Sequence, residues 1–167
     1  SAFSKDGRGS TKLKVNDSKG SAALMRAVPV GLLFAGDEKL AFDTAVKLAA
    51  LSHSNPTAYY SAGALAALIS CLTYGLTLPK SLERVTVLLS KQHKTTGIIG
   101  LLTAAVEQAN ARPAGKSGTW DHIDSIASLG SGANADEALA IAIYSVLALD
   151  DPLDALITAA NHGGKSN

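Results

Sequence analysis

The strongest signal along the chain is an apolar face that returns every three or four residues. Between Asp37 and Ser52, the residues Leu40, Ala41, Thr44, Ala45, Leu48 and Leu51 share one side of a helix, with Lys39, Asp43 and Lys47 on the wet side. Asn55-Pro56 reads as the next helix start: the asparagine side chain caps, and the proline lacks a donor where none is needed. That helix runs to Tyr74 and stops at Gly75. Its small residues Ser61, Ala62, Gly63, Ala64, Ala66 and Ala67 let neighbours approach closely, so it is expected at the centre. Pro79 to Ser90 and Gly97 to Ala111 predict two more amphipathic helices, and Arg112-Pro113-Ala114-Gly115 breaks the second.

A short helix is expected over Thr119 to Ser128. Asn134-Ala135-Asp136-Glu137 resembles a capping box opening a helix to about Leu147, because Asn and a Glu three residues on can satisfy each other's backbone donors. Asp151-Pro152 repeats the start logic, with Asp154 in the positive first turn and Gly163 closing that last helix. Ala22 to Phe34 is also apolar, but Pro29 kinks or shortens any helix there. The first twenty residues, SAFSKDGRGSTKLKVNDSKG, read as a polar loop. Nothing alternates at period two for more than a few residues, and no repeat or heptad appears, so the chain is read as all-α, one helical domain over 1–167.

Composition sharpens this reading. A hydrophobic fraction of 47% rich in alanine and leucine, with only 5% aromatics, favours closely packed helices over strands. Fifteen basic residues against fourteen acidic ones leave a formal charge of +1, so no global field draws in nucleic acid or a membrane surface. The longest apolar stretch, Ala62 to Leu72, is far shorter than the roughly 20 residues that span a bilayer. Cys71 stands alone in an apolar run, which excludes an intrachain disulfide and reads as a core thiol in a reducing compartment. With no apolar segment in Ser1 to Lys14 to form a signal peptide, a cytoplasmic location is expected.

Three places could carry chemistry. Asn16-Asp17-Ser18-Lys19-Gly20-Ser21 offers hydroxyls, a glycine and free backbone N–H groups at a helix start, a setting that suits phosphate and equally a plain capping loop. His53, in Ser52-His53-Ser54-Asn55-Pro56, can point into a cleft or sit against a helix carboxyl end. His93 and His122 have no titratable companion at a motif spacing, and His122 beside Asp121 and Asp124 reads as a surface residue. No His-x-x-x-His or Cys-x-x-Cys pair supports zinc. The closing Gly164-Lys165-Ser166 is no phosphate loop, because the first glycine of that pattern would fall near Thr158 and helix rather than strand precedes it.

Four strings in order, Asn16 to Leu33 (NDSKGSAALMRAVPVGLL), Ser52 to Pro56 (SHSNP), Leu129 to Ala142 (LGSGANADEALAIA) and Asp151 to Asn167 (DPLDALITAANHGGKSN), resemble the ADP-ribosylglycohydrolase family. The strongest are Met25-Arg26-x-x-Pro29-x-Gly31-Leu32 and the Asp136-Glu137-Ala138-Leu139-Ala140 helix start followed by Ala160-Asn161-His162-Gly163-Gly164. The resemblance implies an orthogonal multi-helix bundle, of which these residues form the carboxy-terminal portion. The first third or so, which supplies a Thr-Asp-Asp cluster, is expected to be the missing partner of an incomplete domain.

It also implies hydrolysis, with two magnesium ions, of the N- or O-glycosidic bond between ADP-ribose and a modified protein side chain. The substrate-facing positions carried over are Asp17, Ser18, Gly20, Ser21 and His53. The family's carboxy-terminal Asp-x-Asp aligns with Lys165 and Asn167 here. A protonated lysine cannot ligate magnesium and an asparagine offers one neutral oxygen, so Asn167 is a weak metal position. The family's Gly-Trp pair is Gly132-Ala133, and Ala22 and Ala23 stand where glycines are common. The alternative is a catalytically disabled relative that binds ADP-ribose or a nucleotide; a structural scaffold is the third possibility.

Overall fold

The computed structural model describes residues 9–111 and 122–165. Among them are nine helices: α1 (Ala22–Met25), α2 (Val28–Leu33), α3 (Glu38–Ala50), α4 (Pro56–Thr73), α5 (Leu78–Ser90), α6 (Thr96–Asn110), α7 (Ile123–Leu129), α8 (Ala135–Ala148) and α9 (Pro152–Ala160). The described residues contain no named strand, only one isolated antiparallel bridge between Gly20 and Asn134. The fold is all-α. The expected break at Arg112 to Gly115, the start of the helix expected from Thr119, and Asn167 lie outside the described residues.

Helix α4 is the hub, touching α1, α2, α3, α5, α6 and α8. It begins as its sequence demands, with Asn55 Oδ1 accepting the Thr57 N–H at 3.0 Å and Pro56 first in the helix. Ala58, Ala62, Ala64, Ala66 and Ala67 are all fully buried along it. Small residues shorten the distance between helix axes, and Gly63 shows how far this goes. A Cβ there would lie 2.6 Å from Val46 Cγ2 and 3.0 Å from the Phe42 ring of α3. Gly31 of α2 is tighter still, because its Cβ would meet the Ala66 carbonyl at 2.6 Å and Ile69 Cβ at 2.7 Å.

Pro29 divides the Ala22 to Phe34 stretch as expected, sitting in the first turn of α2 where no i−4 bond is lost. Three expectations are corrected. Gly163 does not end the last helix: α9 stops at Ala160, and Asn161 takes one carbonyl of its last turn, its backbone N–H at 2.9 Å and its side-chain amide at 2.8 Å both donating to Ile157 O. Asn134 starts α8, but its side chain accepts nothing from the helix. Its amide instead donates to Glu137 Oε1 at 2.8 Å, because Glu137 also receives the Ser131 N–H and hydroxyl, both at 3.1 Å. His122 is not on the surface. It is fully buried, with Nδ1 hydrogen-bonded to the Tyr144 hydroxyl at 3.0 Å.

Cys71 is buried as read from its apolar neighbours, and burial pushes its thiol up. Among the described residues no helix is long and apolar enough to cross a membrane.

Candidate functional site

The polar loop before α1 is held on two sides by its own side chains and backbone. On one side, Asn16 reaches the turn between α3 and α4: its amide donates to Ser52 O at 2.7 Å, and its Oδ1 accepts the N–H groups of Ser54 and Ser18, both at 3.1 Å. Val15 N–H adds a bond to Ser54 Oγ at 2.9 Å. On the other side the loop runs against the chain entering α8. Ser21 N–H donates to Ala133 O at 3.1 Å and Ala135 N–H to Lys19 O at 2.8 Å, flanking the Gly20–Asn134 bridge. Backbone groups with no helix to satisfy them find each other across the fold.

The loop N–H groups are spent only in part: Ser18 N–H is taken by Asn16, Ser21 N–H by Ala133 and Gly20 N–H by Ser18 Oγ at 3.3 Å, while those of Asp17 and Lys19 have no partner among the described residues. The helix that follows has only four residues, too short for a useful macrodipole. Donors for a ligand can come from side chains and from the Asp17 and Lys19 N–H groups.

Of the five expected site residues, the structure brings Ser18, Gly20 and His53 into contact, with Asp17 and Ser21 on the same loop. Asp17 is exposed, and its Oδ1 accepts from Lys14 Nζ at 2.8 Å and Asn55 Nδ2 at 2.9 Å. Those hydrogen bonds, the Lys14 one foremost, hold its carboxyl below the usual range. Ser21 is buried at the start of α1. Gly20 is closely flanked: an added Cβ would stand 3.3 Å from Ser18 Oγ and 3.6 Å from His53 Nε2. The serine hydroxyl and the imidazole therefore converge on the glycine.

His53 is 9% exposed, and Nδ1 is hydrogen-bonded to Ser52 Oγ at 2.9 Å. Ser52 Oγ in turn accepts from the Arg26 guanidinium. Burial first, and the Arg26 charge second, hold the imidazole below its ordinary value, so it is neutral near pH 7. Arg26 and Ser52 were not singled out by the sequence reading. Both lie inside strings that carry the family resemblance, which was the available signal.

The second wall continues from Asn134 to the end of the described chain. Lys165 N–H donates to Ser131 O at 2.7 Å, and a Cβ on Gly132 would strike Lys165 O at 2.5 Å. Gly132 has φ +76°, a conformation suited to glycine. Beside it a cavity of about 180 Å³ is lined by Gly132, Ala138, Ile141, Ala159, His162 and Lys165, among others. Asp136, at the start of α8, has a buried Oδ1 with no hydrogen-bond partner, and burial raises its carboxyl pKa. A larger groove of about 480 Å³ between α5 and α6, rimmed by Glu83 and Glu107, includes none of these residues.

The described residues do not fit a pair of hard cations. No three His, Cys, Asp or Glu side chains among them come together in a way that could hold a metal. Asp17 is already bonded to Lys14 and Asn55, and Lys165 brings an ammonium, which repels a cation.

Comparison with curated proteins gives no match, nor does comparison with solved structures. A family model described as ADP-ribosylglycohydrolase matches residues 1–167. The four strings with which the sequence resembles that family are the segments that meet here, at the Gly20–Asn134 bridge, the Asn16 bonds to the His53 turn and the Gly132–Lys165 contact. The chain belongs to the ADP-ribosylglycohydrolase family, a family of all-α hydrolases.

Proposed function

We propose that the chain holds the ADP-ribose of a substrate whose N- or O-glycosidic bond to a modified protein side chain is hydrolysed, with Asp17, Ser18, Gly20, Ser21 and His53 facing that substrate. One observation carries the reading: the loop 16–21 is fastened at the same time to the His53 turn and to the entry of α8. Precise attachment at both ends suits a loop that must present a ligand surface, since a site 1 Å loose loses much of its effect. Ser18 Oγ and His53 Nε2 flank Gly20, where one can donate to a phosphate or ribose oxygen beside the other. Asp17, ionised well into the acid range, can accept from a ribose hydroxyl.

Hydrolysis adds water at the anomeric carbon as the acceptor side chain departs with a proton. A magnesium requirement belongs to this reading only if carboxylates outside these 167 residues complete the cation site, and the proposal takes them from there. No step is assigned to a metal on the residues described.

The test is calorimetry of ADP-ribose in chelator and again with magnesium, paired with release of ADP-ribose from arginine-ADP-ribosylated protein. Binding in chelator without turnover by the 167-residue protein is the expected result. Failure to bind ADP-ribose under either condition would remove the substrate-holding reading, and turnover would show that the metal argument is mistaken. A second reading, recognition of ADP-ribose without hydrolysis, is favoured by Lys165, whose ammonium stands where the resemblance implies a carboxylate. Under that reading, supplying the amino-terminal part of the domain restores no turnover.

A further inference from the structure

Arg26 and Ser52 touch the site without a role so far. Arg26 caps the carboxyl end of α1, and its guanidinium donates to Ser52 Oγ. Ser52 Oγ stands 2.9 Å from His53 Nδ1. A guanidinium has donors only, so the serine oxygen accepts in the first contact and keeps its own proton for a second. Among the described residues, the Ser52 hydroxyl has no hydrogen-bond partner besides Arg26 and His53. If Nδ1 carried the proton instead, one oxygen would receive two donors while the hydroxyl proton found no protein acceptor. The adjacent fixed charge also polarises the hydroxyl and makes it the better donor. Nδ1 therefore accepts, and the ring proton sits on Nε2, the nitrogen that faces Gly20.

We propose that Arg26 and Ser52 are positioning residues that hold His53 in its Nε2–H tautomer, so that the ring presents one fixed, uncharged donor to a ligand oxygen beside Gly20. The relay rests on the ADP-ribose reading only for the identity of that ligand. Buried histidines are oriented in this way elsewhere: the bond made by one ring nitrogen decides what the other can do. The lowered pKa of His53 agrees, since a ring kept neutral has a tautomer to choose. A neutral donor also discriminates by the position of the oxygen it meets rather than by the total charge of the ligand.

The experiment is nitrogen-15 spectroscopy of the histidine rings in the 167-residue protein, at a pH where the ring is neutral. The His53 signal is assigned by its loss in His53→Gln. Wild type is expected to show a protonated-type Nε2 and an acceptor-type Nδ1. Ser52→Ala and Arg26→Met should each turn this into a mixture of tautomers, and Arg26→Lys should restore it at least in part. A proton on Nδ1 in wild type overturns the proposal, as does an unchanged tautomer in both Ser52→Ala and Arg26→Met.

ADP-ribose calorimetry supplies the second arm, with circular dichroism to verify that each variant is folded. Variants with an even mixture of tautomers are expected to bind about twofold more weakly, since only the Nε2–H fraction donates, and His53→Gln sets the limit for loss of the ring. A mixed tautomer with unchanged affinity overturns the ligand half of the proposal. If wild type shows the expected tautomer but binds no ADP-ribose, the relay is supported and the functional reading falls.

Discussion

Glycine serves opposite purposes in two regions of this molecule. At the α2–α4 seam, Gly31 lets backbone touch side chain and backbone with no gap, the missing Cβ being 2.6 Å from the Ala66 carbonyl. At the loop over His53, Gly20 packs less tightly, its missing Cβ 3.3 Å from the movable Ser18 hydroxyl and 3.6 Å from the imidazole. The first glycine holds the fold together by closeness, and the second stands beside two polar side chains with no backbone pressed against it. A residue that is costly to stability and one that serves binding can therefore be told apart by what stands nearest to a single absent atom.

Substitutions can sharpen that contrast. The largest effect is expected at the seam: Gly31→Ala forces Cβ onto the Ala66 carbonyl and Ile69 and should cost about 3 kcal/mol, read by urea unfolding. Next comes Glu137, whose carboxylate gathers the Ser131 N–H, the Ser131 hydroxyl and the Asn134 amide. Removing it as Glu137→Ala leaves those donors to water and should cost about 2 kcal/mol by the same measurement.

A smaller effect depends on pH. His53 is held below its ordinary value of 6.5 by burial and then by Arg26, so the unfolded chain binds a proton that the folded ring refuses. Its contribution is whole above 6.5 and is lost as pH falls from there through the lowered folded value. Asp136 has the opposite sign: its raised folded pKa favours the folded state in more acid solution, and that gain is lost as pH rises through the folded value. The melting temperature of wild type should therefore fall more steeply below pH 6.5 than that of His53→Gln, and parallel curves would count against a buried neutral ring.

The smallest change in stability belongs to Gly20→Ala, within about 0.5 kcal/mol, because its Cβ meets only the movable Ser18 hydroxyl closer than 3.4 Å. That same Cβ pushes on the Ser18 hydroxyl and lies against His53 Nε2, the two groups proposed to meet the ligand, so affinity for ADP-ribose should drop although melting does not. Equal losses of stability at Gly20 and Gly31 would erase the distinction between the two regions.

Much of the helical frame was legible in order and approximate extent. Helices α3 and α4 announce themselves because a one-sided apolar stripe and an Asn-Pro start are local facts, and the Ala-rich character of α4 foretells its place at the hub. Features decided by distant partners were not legible. His122 sits among aspartates in the sequence, but Tyr144 is what it meets in the fold. The Asn134 amide turns away from a capping role because Glu137 is already committed to Ser131.

The site divides in the same way. Asp17, Ser18, Gly20, Ser21 and His53 were reached through strings of resemblance; the structure brings Ser18, Gly20 and His53 into contact and turns Asp17 toward Asn55 and Lys14. Which loop N–H groups are spent could not be read, since that of Ser21 is satisfied by Ala133, 112 positions further along the chain. The Arg26–Ser52–His53 relay needs three side-chain directions, which no spacing encodes.

The bridge between Gly20 and Asn134 ties stretches of polypeptide separated by most of the chain. Closing so long a loop is slow and is rewarded late, so these two segments are expected to meet near the end of folding. A ligand resting across them would act as a clasp: it would raise the melting temperature in proportion to the logarithm of its concentration and protect the Ser21 and Ala135 amides from exchange with solvent deuterium.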